Sequence, residues 1–406
     1  MRLESEAVST DLSLNVLTGA FEGRIEQPIE ILDTTLREGE QTPGVVFSLE
    51  EKLAIAHALD EVGVPWMSAG FPAVSAEERE TALRITGAGL KARLAALARM
   101  LPGDIDAAVD CGCDLVSLFL GGSDSHLCDK LRMTEEQGID KIQASVHYAK
   151  ERGILVAFGV EDFSRTPLAR LLRFYQAAVE AGVDQLTFPD TLGALTPTAT
   201  SRLFTLFRAL LPVPLVAHFH NDLGLALANT LAALEAGASG VHVTVNGVGE
   251  RTGNTCLEEL ALVLKLKYGR DLGFRLDRMA ELSRLVHRAC GTEPPPHKPV
   301  TGRYSFTHES GIHVAGILAN RECYQTYPPE IVGRQHEIVF GKHSGAQGIA
   351  ALAERAGLPL SESARKSVLD QVKREAERTH GSVPEETILQ WIRAEAGAPV
   401  GAGEAR

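Results

Sequence analysis

Between residues 29 and 291, short β-like runs alternate eight times with longer amphipathic runs, and few architectures accept that order. The β-like runs are IEILDTTL (29–36), WMSAGFP (66–72), RLAALARM (93–100), LVSLFLG (115–121), LVAFGVED (155–162), QLTFPDT (185–191), PLVAHFHN (214–221) and GVHVTVNG (240–247). Between them, segments such as LEEKLAIAHALDEVG, LARLLRFYQAAVEAG and GLALANTLAALEAGA carry helical periodicity, and several end in or beside the glycine that a helix C-terminus favours. Eight β/α units predict an α/β chain built as a (β/α)8 TIM barrel. A last barrel helix around RMAELSRLVHRACG precedes TEPPPHKP, a Pro-rich, semi-rigid linker. The expected organisation is an N-terminal extension, loosely attached, over 1–27 and a barrel over 28–291. A linker over 292–300, a smaller, mainly helical C-terminal domain over 301–396 and a disordered tail over 397–406 complete it.

Composition narrows the partners. The formal net charge of −13 and the lack of a long basic run argue against nucleic acid. No apolar run approaches the roughly 18 residues of a membrane span, and no basic segment followed by an apolar one opens the chain, so a cytoplasmic enzyme is expected. The six cysteines (Cys111, Cys113, Cys128, Cys256, Cys290 and Cys323) have no zinc-ribbon spacing and read as reduced and mostly structural.

In such barrels the functional groups gather at the C-terminal ends of the strands, and here those ends are polar. They carry DTTLREGEQ, Glu161 with Asp162, Asp190 with Thr191, His218 with His220, and NGVGERTGN. The two histidines lie at i and i+2 after an apolar run, so on a strand both imidazoles face the same way. A metal site fits that pattern, as do two histidines hydrogen-bonded to neighbours. Glu38 alone fits a solvated loop acid with Arg37 as its surface partner, and GVGERTGN lacks the pattern of a dinucleotide loop. Together, two neutral imidazoles and one carboxylate leave positions open on a divalent ion. A 2-oxo acid fills two of them, and Arg37 beside Glu38 is placed to stabilise a developing oxyanion.

At these residues the chain resembles a known family. LDTTLREGEQTPGV, HFHNDLGLALANTLAALEAGA, VNGVGERTGNTCLEEL, FTHESGIHVAGIL and GKHSG are similar to the acetyl-CoA-dependent 2-oxo acid condensing enzymes of the DRE-TIM metallolyase superfamily, the homocitrate and 2-isopropylmalate synthases. PPEIVGRQHEIVFGKHSGA looks most like the nitrogen-fixation type of homocitrate synthase. The resemblance implies Glu38, His218 and His220 as ligands of Mg²⁺, Mn²⁺ or Zn²⁺, with Asn254 as a further ligand or near-ligand. It implies Arg37 holding the oxo acid, Glu161 linked to deprotonation of the acetyl-CoA methyl, and Thr191 binding the oxo acid carboxylate. It also implies that His313, with Tyr324 or Tyr327 near it, reaches a partner subunit's barrel mouth for acid/base steps. The C-terminal region then acts as lid and dimerisation region of a homodimer.

Three departures bear on the substrate. Ser68 stands where the family usually has a glutamate in the second strand, GGSDSHLCDKLRM lacks the arginine that grips the distal carboxylate of 2-oxoglutarate, and Ala315 replaces an aspartate of many relatives. Arg99, and less so His126, are candidate cations for a distal anion, although either also fits a rim ion pair. The first expectation is homocitrate formation from 2-oxoglutarate. Alternatives are 2-oxoisovalerate, phosphonopyruvate giving 2-phosphonomethylmalate, or oxaloacetate, and less an acyl-CoA lyase of the same superfamily. An amidohydrolase places its H-x-H on the first strand rather than the seventh, and a non-haem iron oxygenase uses a similar ligand set on other architectures. A non-catalytic protein conflicts with intact Arg37, Glu38, His218 and His220.

Overall fold

Eight parallel strands close in chain order: β1 (Glu30–Asp33), β2 (Trp66–Ser68), β3 (Arg93–Arg99), β4 (Leu115–Gly121), β5 (Leu155–Glu161), β6 (Gln185–Asp190), β7 (Leu215–Phe219) and β8 (Gly240–Val243). β8 pairs back onto β1 from Glu30↔Gly240 to Asp33↔Val243, which leaves no edge in this sheet. The computed structural model describes residues 1–3 and 23–397. Helices α1 (Thr35–Glu38) and α2 (Leu49–Val62) follow β1, then α3 (Ala76–Thr86), α4 (Pro102–Asp110), α5 (Glu135–Glu151), α6 (Leu168–Glu180), α7 (Pro197–Leu210) and α8 (Ala226–Glu235) follow the next strands. After β8 come α9 (Leu257–Tyr268) and α10 (Met279–Ala289). The expected (β/α)8 barrel is therefore the observed one.

Local chemistry starts and stops these elements. Ser48 and Glu51 form a reciprocal cap at the start of α2, Thr134 and Gln137 do the same for α5, and Gly63 ends α2 at φ 96°. Inside the barrel Leu32, Trp66, Ala95, Leu115 and Ala157, one from each of the first five strands, form an apolar layer beneath the mouth. Outside it, Phe158, Tyr175, Phe188, Phe204 and Phe207 pack ring on ring between the later strands and α6 and α7. The Tyr175 hydroxyl donates to the Thr187 carbonyl at 2.9 Å, tying α6 to β6.

Except for β4, the strands are shorter at their C-terminal ends than the runs suggested. Residues 29–36 divide into β1 and the one-turn helix α1, because the Asp33 carboxylate accepts from the Thr35 backbone N–H at 2.8 Å and turns the chain. β2 stops at Ser68 before Gly70 turns at φ 104°, and His220 lies just beyond β7. The functional residues thus stand where the backbone leaves the sheet.

The chain divides between Glu293 and Pro294 into two compact units, and residues 1–3 belong to the second. That unit holds α11 (Gly311–Ala319), α12 (Ala346–Arg355), α13 (Glu362–Thr379) and α14 (Glu385–Glu395), with a parallel pair β9 (Thr307–His308) and β10 (Glu337–Ile338). Its core includes Val314, Phe340, Ile349, Val368, Val372 and Ile388. Residues 1–3 correct the expectation of a loose extension. Met1 is buried in this core, Leu3 donates its N–H to the His336 carbonyl at 3.1 Å, and Arg2 bridges Glu337. Residues 4–22 of that extension, and 398–406 of the expected tail, lie outside the described residues. The Pro-rich stretch folds back on itself instead of running extended: Gly302 and Tyr304 donate their N–H groups to Lys298 and Pro296, each at 2.9 Å. All six cysteines are free thiols; Cys111, Cys113 and Cys256 are buried, Cys290 is partly covered, and Cys128 and Cys323 are exposed.

Candidate active site

A cavity of about 310 Å³ opens at the C-terminal end of the barrel, lined by Arg37, Glu38, Ser68, Glu161, Thr191, His218 and His220 among others. Glu38 and Arg37 are presented by α1, whose position is set by the Asp33 turn and by Thr35, whose hydroxyl accepts from the Val245 N–H at 2.8 Å. Burial pushes the Asp33 carboxyl itself up to about 7.

One ligand atom each from Glu38, His218 and His220 lies within 4.8 Å of the others, and all three residues are buried. His218 Nε2 is 3.4 Å from His220 Nε2 and 3.5 Å from a Glu38 oxygen, whose carboxylate is held by Arg37 Nη1 at 2.5 Å. Burial holds both imidazoles below their ordinary range, His218 well below, so both are neutral at pH 7. Burial opposes ionisation of Glu38, but the carboxyl still lies below the usual range, chiefly through the charge and hydrogen bond of Arg37.

His242, which the sequence reading passed over, completes the set. It projects inward from β8 in register with Leu32, and its Nδ1 is 3.1 Å from His218 Nδ1. One proton serves that contact. Carried on His218 Nδ1, it leaves the Nε2 lone pair of His218 facing His220 and Glu38. The period-two alternation of GVHVTV was the available signal.

Asn254 closes the other side, with Nδ2 at 3.4 Å from His218 Nε2 and a backbone bridge to His220. The glycine loop makes this approach. Gly253 sits at φ 83°, and a Cβ there would come within 1.8 Å of the Gly247 carbonyl oxygen. Two oxygens, Glu38 Oε2 and Asn254 Oδ1, are buried without a hydrogen-bond partner among the described residues. Three ligand atoms from Glu38 and two neutral imidazoles gathered within 4.8 Å, with buried oxygens beside them that lack a partner, form a donor set that fits a divalent metal ion.

The remaining predicted residues take varied places. Glu161 lines the cavity, its carboxylate 3.1 and 3.2 Å from Lys130 Nζ and 3.2 Å from His126 Nδ1. Thr191 lines it too, its hydroxyl accepting from the Asp162 N–H at 2.9 Å, while its carbonyl accepts from Arg251 at 2.6 Å. Ser68 is buried in the wall and accepts from the Gly70 N–H at 3.3 Å. Arg99 is not among the lining residues: Asp104 holds it through two bonds of 2.7 and 3.0 Å. His126 likewise lies outside the lining, against Glu161. In the second unit, His313 stands in the first turn of α11 with the Tyr324 ring 4.3 Å away, whereas Tyr327 packs on Phe306, so Tyr324 is the tyrosine beside it.

Residues 28–286 match the family model described as HMGL-like, and residues 300–380 match that described as homocitrate synthase post-HMGL domain-like. A Methanopyrus kandleri protein named homocitrate synthase AksA is 46% identical over 351 residues, covering 86% of this chain and 88% of the relative. A probable 2-isopropylmalate synthase of the same organism is 45% identical, covering 85% of this chain and 69% of the relative. A putative (R)-citramalate synthase CimA, also from Methanopyrus kandleri, is 43% identical, covering 86% and 69%. Among solved structures, the Bacillus subtilis HMG-CoA lyase superposes with a TM-score of 0.60 at 19% identity, over 68% of this chain and 97% of that one, a likeness of fold. With 28–286 matched and relatives this similar over most of both chains, the chain belongs to the HMGL-like DRE-TIM family of homocitrate and 2-isopropylmalate synthases and is an acyltransferase-type enzyme.

Proposed function

We propose that the protein joins the methyl carbon of acetyl-CoA to the keto carbon of a 2-oxo acid and, with one water, releases the 2-alkylmalate-type product and free CoA. The observation that carries this reading is the buried convergence of Glu38, His218 and His220 beside Arg37 in the barrel mouth. A divalent ion, Mg²⁺, Mn²⁺ or Zn²⁺, held by these residues with Asn254 alongside would supply Lewis-acid polarisation of the keto group. Arg37, with a guanidinium lining the cavity, holds the oxo acid and stabilises negative charge on the keto oxygen as the carbon–carbon bond forms. Glu161 takes the methyl proton, supported by its place on the cavity wall and by Lys130, whose Nζ donates to both carboxylate oxygens. Thr191 takes the oxo acid carboxylate.

His313, with Tyr324 against its ring, is the acid/base pair that the second unit supplies, and residues 301–396 serve as lid and dimerisation region of a cytoplasmic homodimer. The family resemblance supports these assignments.

The expectation of homocitrate from 2-oxoglutarate has that resemblance and the relative named homocitrate synthase behind it, but a cavity lining with Arg37 as its one lysine or arginine among the described residues argues against a second carboxylate. The three names reported above span only 43% to 46% identity, however, so similarity alone favours no one oxo acid.

Thiol release from acetyl-CoA, followed with metal-loaded protein against a panel of 2-oxo acids with product masses recorded, tests the reaction. Arg37→Ala is expected to lose about 10²–10³-fold in kcat while retaining its metal. An unchanged rate in that variant, or no thiol release with any acid, overturns this reading.

A further inference from the structure

We infer that the 2-oxo acid taken by this enzyme carries an uncharged substituent, so that acids with a second anionic group at the far end are poor substrates. This rests on the condensation reading above and names its substrate class. The cavity lining holds three carboxylates, Glu38, Glu161 and Glu250, and Arg37 is its one lysine or arginine among the described residues. Arg37 is already engaged, with Nη1 2.5 Å from Glu38. It stands next to the ligand set, where the carboxylate and keto oxygen common to all 2-oxo acids are handled.

The part of the lining on β2, β3 and β4 and the β5 glycine is neutral. Leu97 of β3 stands in register with Ser117 of β4, and Phe119 of β4 with Gly159 of β5; all four line the cavity, as does Ser68. A carboxylate or phosphonate placed there is desolvated without a counter-charge, which costs several kcal/mol for a buried ion.

The cations around the mouth do not remedy this, because each already has a carboxylate. Arg99 is held by Asp104, Arg165 by Asp162 through bonds of 2.7 to 3.0 Å, Arg251 by Asp222 at 2.7 and 2.9 Å, and Lys130 by Glu161. Recruiting any of them to a distal anion would strip that acid of its partner. Ser68 contributes directly: a neutral hydroxyl, engaged with the Gly70 N–H, lies where a titrating side chain would alter the charge of the wall.

The test uses the full-length, metal-loaded enzyme and compares kcat/KM for pyruvate, 2-oxobutyrate and 2-oxoisovalerate with that for 2-oxoglutarate, oxaloacetate and phosphonopyruvate. The best uncharged acid is expected to lead every doubly anionic one by at least about 100-fold, the scale set by leaving a buried charge unpaired. Equal or better use of any doubly anionic acid overturns the inference while leaving the condensation reading intact. Failure of all six acids to release CoA removes the condensation reading and this inference with it.

Discussion

His242 is set back from Glu38 and His220, yet it decides which nitrogen of His218 is free, through the 3.1 Å contact between the two Nδ1 atoms. Burial keeps His242 neutral, well below its ordinary range, so its Nδ1 is able to accept the His218 proton and is not a rival cation. His242→Phe keeps the volume and removes the acceptor. Titration of a divalent ion into the apo-protein should then show affinity lowered about 10–100-fold with the fold retained. Unchanged affinity would mean that some other contact fixes the tautomer of His218. At this scale the sequence made much of the site legible. His218 and His220 declare themselves through strand alternation, and Arg37 and Glu38 through their place after the first β run. Other residues were less readable, because their roles depend on contacts that spacing does not encode. Arg99 stands at a strand end, as a substrate-binding cation would, but Asp104, five residues on, turns it toward α4. Tyr324 and Tyr327 are three residues apart in an irregular stretch, and only the packing of one on His313 and the other on Phe306 separates them.

Between elements, the mouth of the barrel is braced by charge pairs. Lys52, on α2 and nearly fully buried, reaches Glu40 at 2.7 Å after α1 and also pairs with Glu78 on α3. It therefore ties the segment carrying Arg37 and Glu38 to the next β/α unit. Burial works against the ammonium, but the two carboxylates prevail and hold it above the ordinary lysine range. Lys52→Met should destabilise the barrel by about 3 kcal/mol in urea unfolding, since both acids lose their partner, and adding Glu78→Gln should recover part of that loss. A change below about 0.5 kcal/mol would assign Lys52 to the class of surface pairs that contribute little. Element identities were legible because hydrophobic period separates strand from helix. Element ends were not: the polar residues that carry chemistry also end strands, as Asp33 does by capping Thr35 and Gly70 by turning at φ 104°.

On the scale of the whole chain, the barrel was readable because closure requires eight repeats of one pattern, and that pattern runs through the sequence from residue 29. The attachment of residues 1–3 to the second unit was not, since three residues have no period and their partners at 336 to 338 are distant in sequence. The barrel brings Glu38, His218 and His220 together from the first and seventh units, at the proposed metal site on which turnover depends. The most direct test measures divalent-ion binding and CoA release side by side for the native chain, Glu38→Ala and His220→Ala. One ion per chain, with affinity lowered at least about 100-fold in each variant and turnover lost in parallel, is the predicted result. Native affinity in either variant, or full turnover by metal-free protein, would contradict it.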